Sequence, residues 1–383
     1  MVENILILGN GFDLAMGRKT SYGDFLRFLN SISVQSSNSE EFFDTNIIDG
    51  LIQEKKIEKD DYFSKISKNL FLNYIYENKK KLGKKWSSIE LVISDIAEAI
   101  AFFKKNGIKN AYIENESNYT ALIYIKKYLD VFVPGYLQLL AIIGSQEVMD
   151  KCNEKCIQAL NDLTDYLEFY LTYLDKLDFD SDSDSEQRIV KQDSSLDAIE
   201  GLQNAKVLTF NYTDTANRLF GISEENTHFI HGRIDFARDK KSINTMVFGI
   251  EDKEDKTENI NPDLISYQKF YQRIIKETGS DYRKFFEKPK DSGKSVDDMN
   301  IIVFGHSVDP LDKEIFEKCF ELAEERGGKY KFIFNYYDEK AKREIVKNLT
   351  IILEKERMIS LTAEQKVAFV KCDDVQRMKR ELL

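Results

Sequence analysis

The sequence predicts an α/β protein in which a mainly parallel sheet is interrupted, after its first strand, by a large all-helical insertion. Three observations lead there. Residues 5–8 (ILIL) form a β-branched apolar run too short for a helix, and it stops abruptly at Gly9-Asn10-Gly11. From about residue 40 to residue 177 helical periodicity is nearly unbroken, with very little strand signal. Strand-like runs return at Lys206 and then alternate with helical stretches, the pattern that builds parallel sheets.

Composition agrees with this reading. At 383 residues the chain could hold two or three average domains, or one α/β domain with a large insertion. An apolar fraction of 42% with 26 Phe and 19 Tyr is ample for a core, and only 4 Pro argue against long extended linkers. No apolar run approaches membrane-spanning length, and the first strand is too soon interrupted for a signal peptide, so a cytoplasmic protein with no membrane contact is expected. The net charge of −11 removes the general attraction to polyanions and speaks against nucleic acid as a partner. Lysines alternate with acids, as in residues 54–61, the pattern of solvated helix faces, and the basic run at 79–85 has no flanking aromatics. Cys152, Cys156, Cys319 and Cys372 fit free thiols in a reducing compartment. Cys152 and Cys156 share a helix face but lack two further ligands nearby in sequence, so no metal site is expected.

Taken in order, the strand at residues 5–8 is followed by the glycine turn, and a helical pattern begins only after Ser21, with Phe25, Leu26 and Leu29 on one side. Strand, glycine turn and helix can cradle phosphate. Glycines admit close backbone approach, while amide N–H groups and a helix N-terminus favour negative charge. The plainer alternative is a tight turn after an edge strand, since the third glycine of the dinucleotide fingerprint is missing and there is no P-loop. In the insertion, Ile89, Val92, Ile93, Ile96 and Ile100 form one helical stripe, and Leu160, Leu163, Leu167, Leu171 and Leu174 form another within residues 148–177. Such stripes also suit self-association into a homo-oligomer.

Residues 178–200 turn acidic and Ser-rich, with too little apolar content to pack, and read as a solvated loop. A calcium loop would need a glycine and a bidentate glutamate that are absent at the required spacing. Strands are expected at 207–210, 228–230, 246–248, 300–304, 331–334 and 367–370, with helices at about 263–277, 311–325 and 339–353. The first strand must join this later group, because a lone strand cannot bury itself among helices. The chain is thus divided into a Rossmann-like nucleotide-binding domain (1–30 and 201–383), a helical insertion (31–177) and an acidic loop (178–200). In such sheets ligands sit at the carboxyl ends of the strands, near the switch in strand order.

Each polar cluster of interest follows an expected strand. In Thr209-Phe210-Asn211-Tyr212-Thr213-Asp214, the Asn211 amide could hold a sugar hydroxyl or a water; alternatively Asn211 and Asp214 only cap the next helix. In His228-Phe229-Ile230-His231-Gly232, two of the chain's 3 histidines stand three apart on a strand, facing opposite ways, which speaks against a joint metal site. His231, at the strand's end before Gly232, is placed to open onto a cleft as a general base, with a structural imidazole as the alternative. In the run from Phe304 to Asp312, Gly305 allows close backbone approach, Ser307 and Asp309 could bind ribose or phosphate, and Pro310 suits a first helical turn. The same run could be an ordinary capped helix start. His306 could partner a nucleophile, but no G-x-S-x-G elbow surrounds Ser307.

Six blocks in this order resemble the AbiH family, named for a bacterial phage abortive-infection protein. They are GNGFDLAMGRKTSYGDF, WSSIE (Trp86 to Glu90), FNYTDT, HFIHGR, FGIED (Phe248 to Asp252) and FGHSVDPLD. More distantly the chain is similar to sirtuin-like NAD-binding families. Gly9, Gly11 and Gly17 fall on their glycines, Asn211 on their asparagine, His231-Gly232 on their His-Gly, and Gly305 with Ser307 on their last motif. Asn10 replaces an alanine, and Asp13 stands where a small serine is usual. An acid near a pyrophosphate is unfavourable unless it faces the ribose or a bound cation.

The resemblance implies an anti-phage protein that binds a nucleotide or dinucleotide and, as an NAD glycohydrolase, releases nicotinamide from NAD as its substrate. It implies His231 as the base and Asn211 as the residue orienting ribose or water. The phosphates would lie on Gly9, Asn10 and Gly11, flanked by Phe12, Asp13 and Thr20. Asp214, Gly232, Gly305 and His306 complete the nucleotide site, with Ser307 and Asp309 on the adenosine side. A phage-derived trigger belongs to the same expectation. The alternatives are a non-catalytic nucleotide or ADP-ribose sensor, a metal-dependent nuclease using Asp13, Asp214, Asp309 and Asp312, and, last, a protein deacylase, whose paired Cys-x-x-Cys zinc module is missing.

Overall fold

Alternation along the first strand sets the architecture. In β1 (Val2–Leu8), Ile5 and Ile7 enter one apolar cluster while Leu6 and Leu8 enter another, so the sheet is covered on both faces, as parallel sheets are. The computed structural model describes residues 2–33, 43–82, 88–109, 113, 116, 118–180, 189, 191–239, 242–250, 261–288 and 296–383. The expected features at Trp86, in the basic run at 83–85, in the acidic run at 181–188 and at Glu251 and Asp252 lie outside these residues.

Five further strands join β1, namely β2 (Lys206–Thr209), β3 (Thr227–Phe229), β4 (Asp298–Phe304), β5 (Tyr330–Tyr336) and β6 (Val367–Lys371). All pairings are parallel, in the order β3-β2-β1-β4-β5-β6. This is the α/β, Rossmann-like sheet expected, with the large helical insertion between β1 and β2. The strand order reverses between β1 and β4, and the crevice outside their carboxyl ends is where such sheets hold ligands.

The chain forms two compact units. The first is Met1–Thr20, Leu177–Ile234 and Glu277–Leu383; the second is Ser21–Lys176 and Asp235–Lys276. The first unit carries the sheet. Helices Lys313–Arg326, Glu339–Leu353 and Lys355–Ala363 supply Phe316, Phe320, Leu349 and Leu361 to one face. Phe12, Leu196, Ala216 and Met378 fill the other. In the second unit the described elements are helices, including Ile89–Asn106, whose isoleucine stripe is buried, and Tyr136–Asp175, which breaks at Gly144 (φ 81°) and buries the leucines at 160–174. Among the described residues no single helix is long and apolar enough to cross a membrane. All four cysteines are free thiols.

Four local expectations are corrected. A helix begins at once after Gly9, over Asn10–Ala15 (α1), not after Ser21. Residues 246–248 form no strand, because the Gln272 side-chain amide takes both backbone groups of Phe248, at 2.9 Å each. The helix expected at 263–277 is two pieces, Pro262–Ile265 and Lys269–Ile275; between them the Tyr267 carbonyl accepts from Ile250 N–H at 2.7 Å. The stretch read as a solvated loop is packed at its end. Ser195–Ala198 forms a 3-10 turn with Leu196 buried, and Ser195 donates from N to the Cys372 carbonyl (2.7 Å) and from Oγ to Asn335 Oδ1 (2.6 Å).

Candidate functional site

At the crevice between β1 and β4, two turns meet backbone to backbone. Gly9 N–H donates to the Phe304 carbonyl at 3.0 Å, and Gly11 N–H to the Gly305 carbonyl at 2.8 Å. A Cβ on Gly9 would lie 2.6 Å from Gly305 O, and one on Gly305 (φ 71°) would lie 2.0 Å from Phe12 N. These glycines are required by the approach of one turn to the other. At the phosphate cradle expected over Gly9–Gly11, three amides are engaged within the protein: Gly9 and Gly11 donate across the crevice, and Phe12 N–H donates to Gly9 O at 2.8 Å.

Beside this seam stands a buried His–Asp–His cluster. His231 follows β3 and places Nε2 3.4 Å from Asp312 Oδ1; His306 follows β4 and places Nε2 3.4 Å from Asp312 Oδ2. These are ion-pair distances, longer than hydrogen bonds. Val308 N–H donates to His306 Nδ1 at 2.8 Å, which puts the proton of a neutral His306 on Nε2, toward the carboxylate. Val308 itself is held at φ 55°, a conformation costly for a β-branched residue and often found where a site is built under strain. Phe210, after β2, packs between the two imidazoles, with ring centroids 5.3 Å from His231 and 4.3 Å from His306. Asp312 is 5% exposed. It belongs to the Gly-His-Ser block, but nothing in its spacing singled it out as the group both histidines share.

A second polar network lies at the carboxyl ends of β1 and β2. Asp13, 1% exposed, accepts from the Thr213 hydroxyl, and burial raises its carboxyl above the usual range despite the neighbouring Arg18. Arg18 is buried, with Nε 2.7 Å from Asp178 Oδ2 and Nη1 2.7 Å from Thr215 Oγ1. Asn211 is buried as well. Its Nδ2 donates to the Gly9 carbonyl at 3.1 Å, which ties the end of β2 to the seam, while its Oδ1 has no hydrogen-bond partner among the described residues. Asp13, Asn211 and Thr213 line a crevice of about 180 Å³, too tight to be a nucleotide pocket.

The other expected residues divide clearly. Phe12 is corrected from ligand contact to core, where it packs on Phe304 and Phe220. Asn10 and Thr20 bond each other, with Thr20 Oγ1 donating to Asn10 Oδ1 at 2.7 Å. Asp214 makes no capping bond and instead pairs with Arg218 at 3.0 Å. Gly232 (φ 72°) turns the chain after His231. Ser307 is exposed and Asp309 half-buried. His228 faces Tyr282, with ring centroids 5.6 Å apart, and takes no part in the cluster. Among the described residues, no group of three or more His, Cys, Asp or Glu is arranged to hold a metal ion.

No curated protein and no solved structure matches the chain. A family model described as "Bacteriophage abortive infection AbiH" matches residues 5–336, a span that takes in every residue of the seam and the cluster. The chain belongs to the AbiH family of bacteriophage abortive-infection proteins.

Proposed function

We propose that this abortive-infection protein cleaves the N-glycosidic bond of a nicotinamide dinucleotide at the His231–Asp312–His306 cluster. The observation that carries the reading is the pair of imidazoles on one buried carboxylate, outside strands β3 and β4. Departure of nicotinamide leaves a sugar with oxocarbenium character. Water attacks the anomeric carbon as the C–N bond breaks; the electron pair leaves with nicotinamide, and the water's proton passes to His231. Asp312 holds that imidazole in place, as a carboxylate does for a catalytic histidine. The buried Asn211 carbonyl, which lacks a donor among the described residues, is an acceptor that a water could use. The pyrophosphate is not assigned to Gly9 or Gly11, whose N–H groups are engaged.

Cells carrying the protein should lose NAD during phage infection, and His231→Ala should keep NAD constant and abolish protection. Constant NAD with protection intact would overturn the proposal. A second reading, a nucleotide sensor without turnover, draws on the burial of His231 and on the low side-chain exposure of His306. It predicts protection that is indifferent to His231→Ala.

A further inference from the structure

We infer that the aromatic-walled cleft of the second unit binds a nucleobase, presented as a free nucleoside. The cleft holds a cavity of about 200 Å³ behind an open mouth. Its walls are the rings of Tyr62, Phe169 and Phe236, with centroids 5.4 Å apart for the first pair and 6.1 Å for the second. Phe169 is 2% exposed and backs the other two, and Tyr62 and Phe236 are part-exposed, so a planar heterocycle can stack on their open edges and faces.

The polar groups are built in. Glu168 is 2% exposed; it accepts from Asp235 N–H at 3.1 Å and pairs with Arg238, which also reaches Asp165 at 2.7 Å. Asn244 Nδ2 donates to the same Asp165 oxygen at 2.9 Å. Arg238 is thereby neutralised, and the cation left for a ligand is Lys55. Its ammonium lies 4.4 Å above the Phe236 ring, paired with no carboxylate among the described residues, and burial lowers its pKa. Local chain geometry puts it there. Lys55 caps helix Thr45–Glu54 and Lys56 takes the left-handed conformation (φ 52°), with Lys56 N–H on Gln53 O and Ile57 N–H on Ile52 O, a Schellman turn.

This lining suits a neutral ring carrying both acceptors and donors. Ring carbonyls would meet Lys55, and exocyclic amines would meet the carboxylates. A phosphate would face Asp165, Glu168 and Asp239, and an organic cation would face Lys55. A base on a single strand offers the same chemistry, and the test separates the two sources.

The test is equilibrium dialysis of the full chain with adenosine, guanosine, cytidine and uridine, their 5′-monophosphates, a single-stranded oligonucleotide and agmatine. At least one nucleoside should bind saturably and more tightly than its monophosphate, and the binding should persist in His231→Ala. Phe236→Ala should weaken it tenfold or more, and Lys55→Met several-fold. Phe236 is only half-buried, and Lys55→Met keeps the aliphatic stem, so both variants should fold. The inference is overturned if no nucleoside binds, if both variants bind like the parent, or if the oligonucleotide or agmatine is the tighter ligand.

Discussion

Replacing Gly305 by alanine tests the seam at its tightest point. The new Cβ would lie 2.0 Å from Phe12 N and 2.5 Å from Gly11 C, both backbone atoms that cannot swing aside. Overpacking of a rigid site costs about 1–3 kcal/mol. The left-handed backbone at φ 71° adds about 1–2 kcal/mol for any residue with a Cβ. The sum, about 2–5 kcal/mol, is a large share of the roughly 5–15 kcal/mol that holds a typical protein folded. Gly221 supplies the control: its φ is 66°, and a Cβ there meets nothing within 4 Å. Gly221→Ala should therefore cost only the backbone part, about 1–2 kcal/mol. Urea unfolding followed by circular dichroism would compare the two midpoints, with the slope checked for two-state behaviour. If Gly305→Ala loses no more stability than Gly221→Ala, the seam is not the close backbone contact described here.

Three further outcomes follow from the first unit. Arg18→Met should destabilise by about 3–5 kcal/mol, because it strands the Asp178 carboxylate in a buried site, and Asp178→Asn in the same chain should recover part of the loss in urea midpoint. Burial lowers the pKa of His228 below its usual 6.5, so the folded state resists a proton that the unfolded chain accepts. Stability should then fall as pH drops below 6.5, and His228→Phe should flatten urea midpoints measured between pH 7.5 and 5.5. Asp312→Asn should reduce nicotinamide release by up to about 10⁴-fold, the cost of removing the carboxylate that orients a catalytic histidine, with little change in binding of NAD by calorimetry.

The sheet was legible because each strand is an apolar run between turn signals; helix Glu339–Leu353 matches its expected span. The glycines were legible as points of close approach, but their partner was not. Gly11 and Gly305 stand at opposite ends of the sequence, and only the pairing of β1 with β4 brings them together. Asp312 was within a recognised block, yet its pairing needs His231 and His306 to converge from two strands. The Arg18 network was hidden because Asp178 sits at the edge of an acidic stretch that reads as solvated. Residues 246–248 misled because a side-chain amide can satisfy a backbone as a neighbouring strand does, and alternation cannot tell the two apart.

The most direct measurement is nicotinamide released from NAD by the purified protein, alone and with lysate of phage-infected cells. The account predicts turnover in at least one of these states and its loss, by about 10²-fold or more, in His231→Ala. No release in either state, or equal release by the variant, would contradict it.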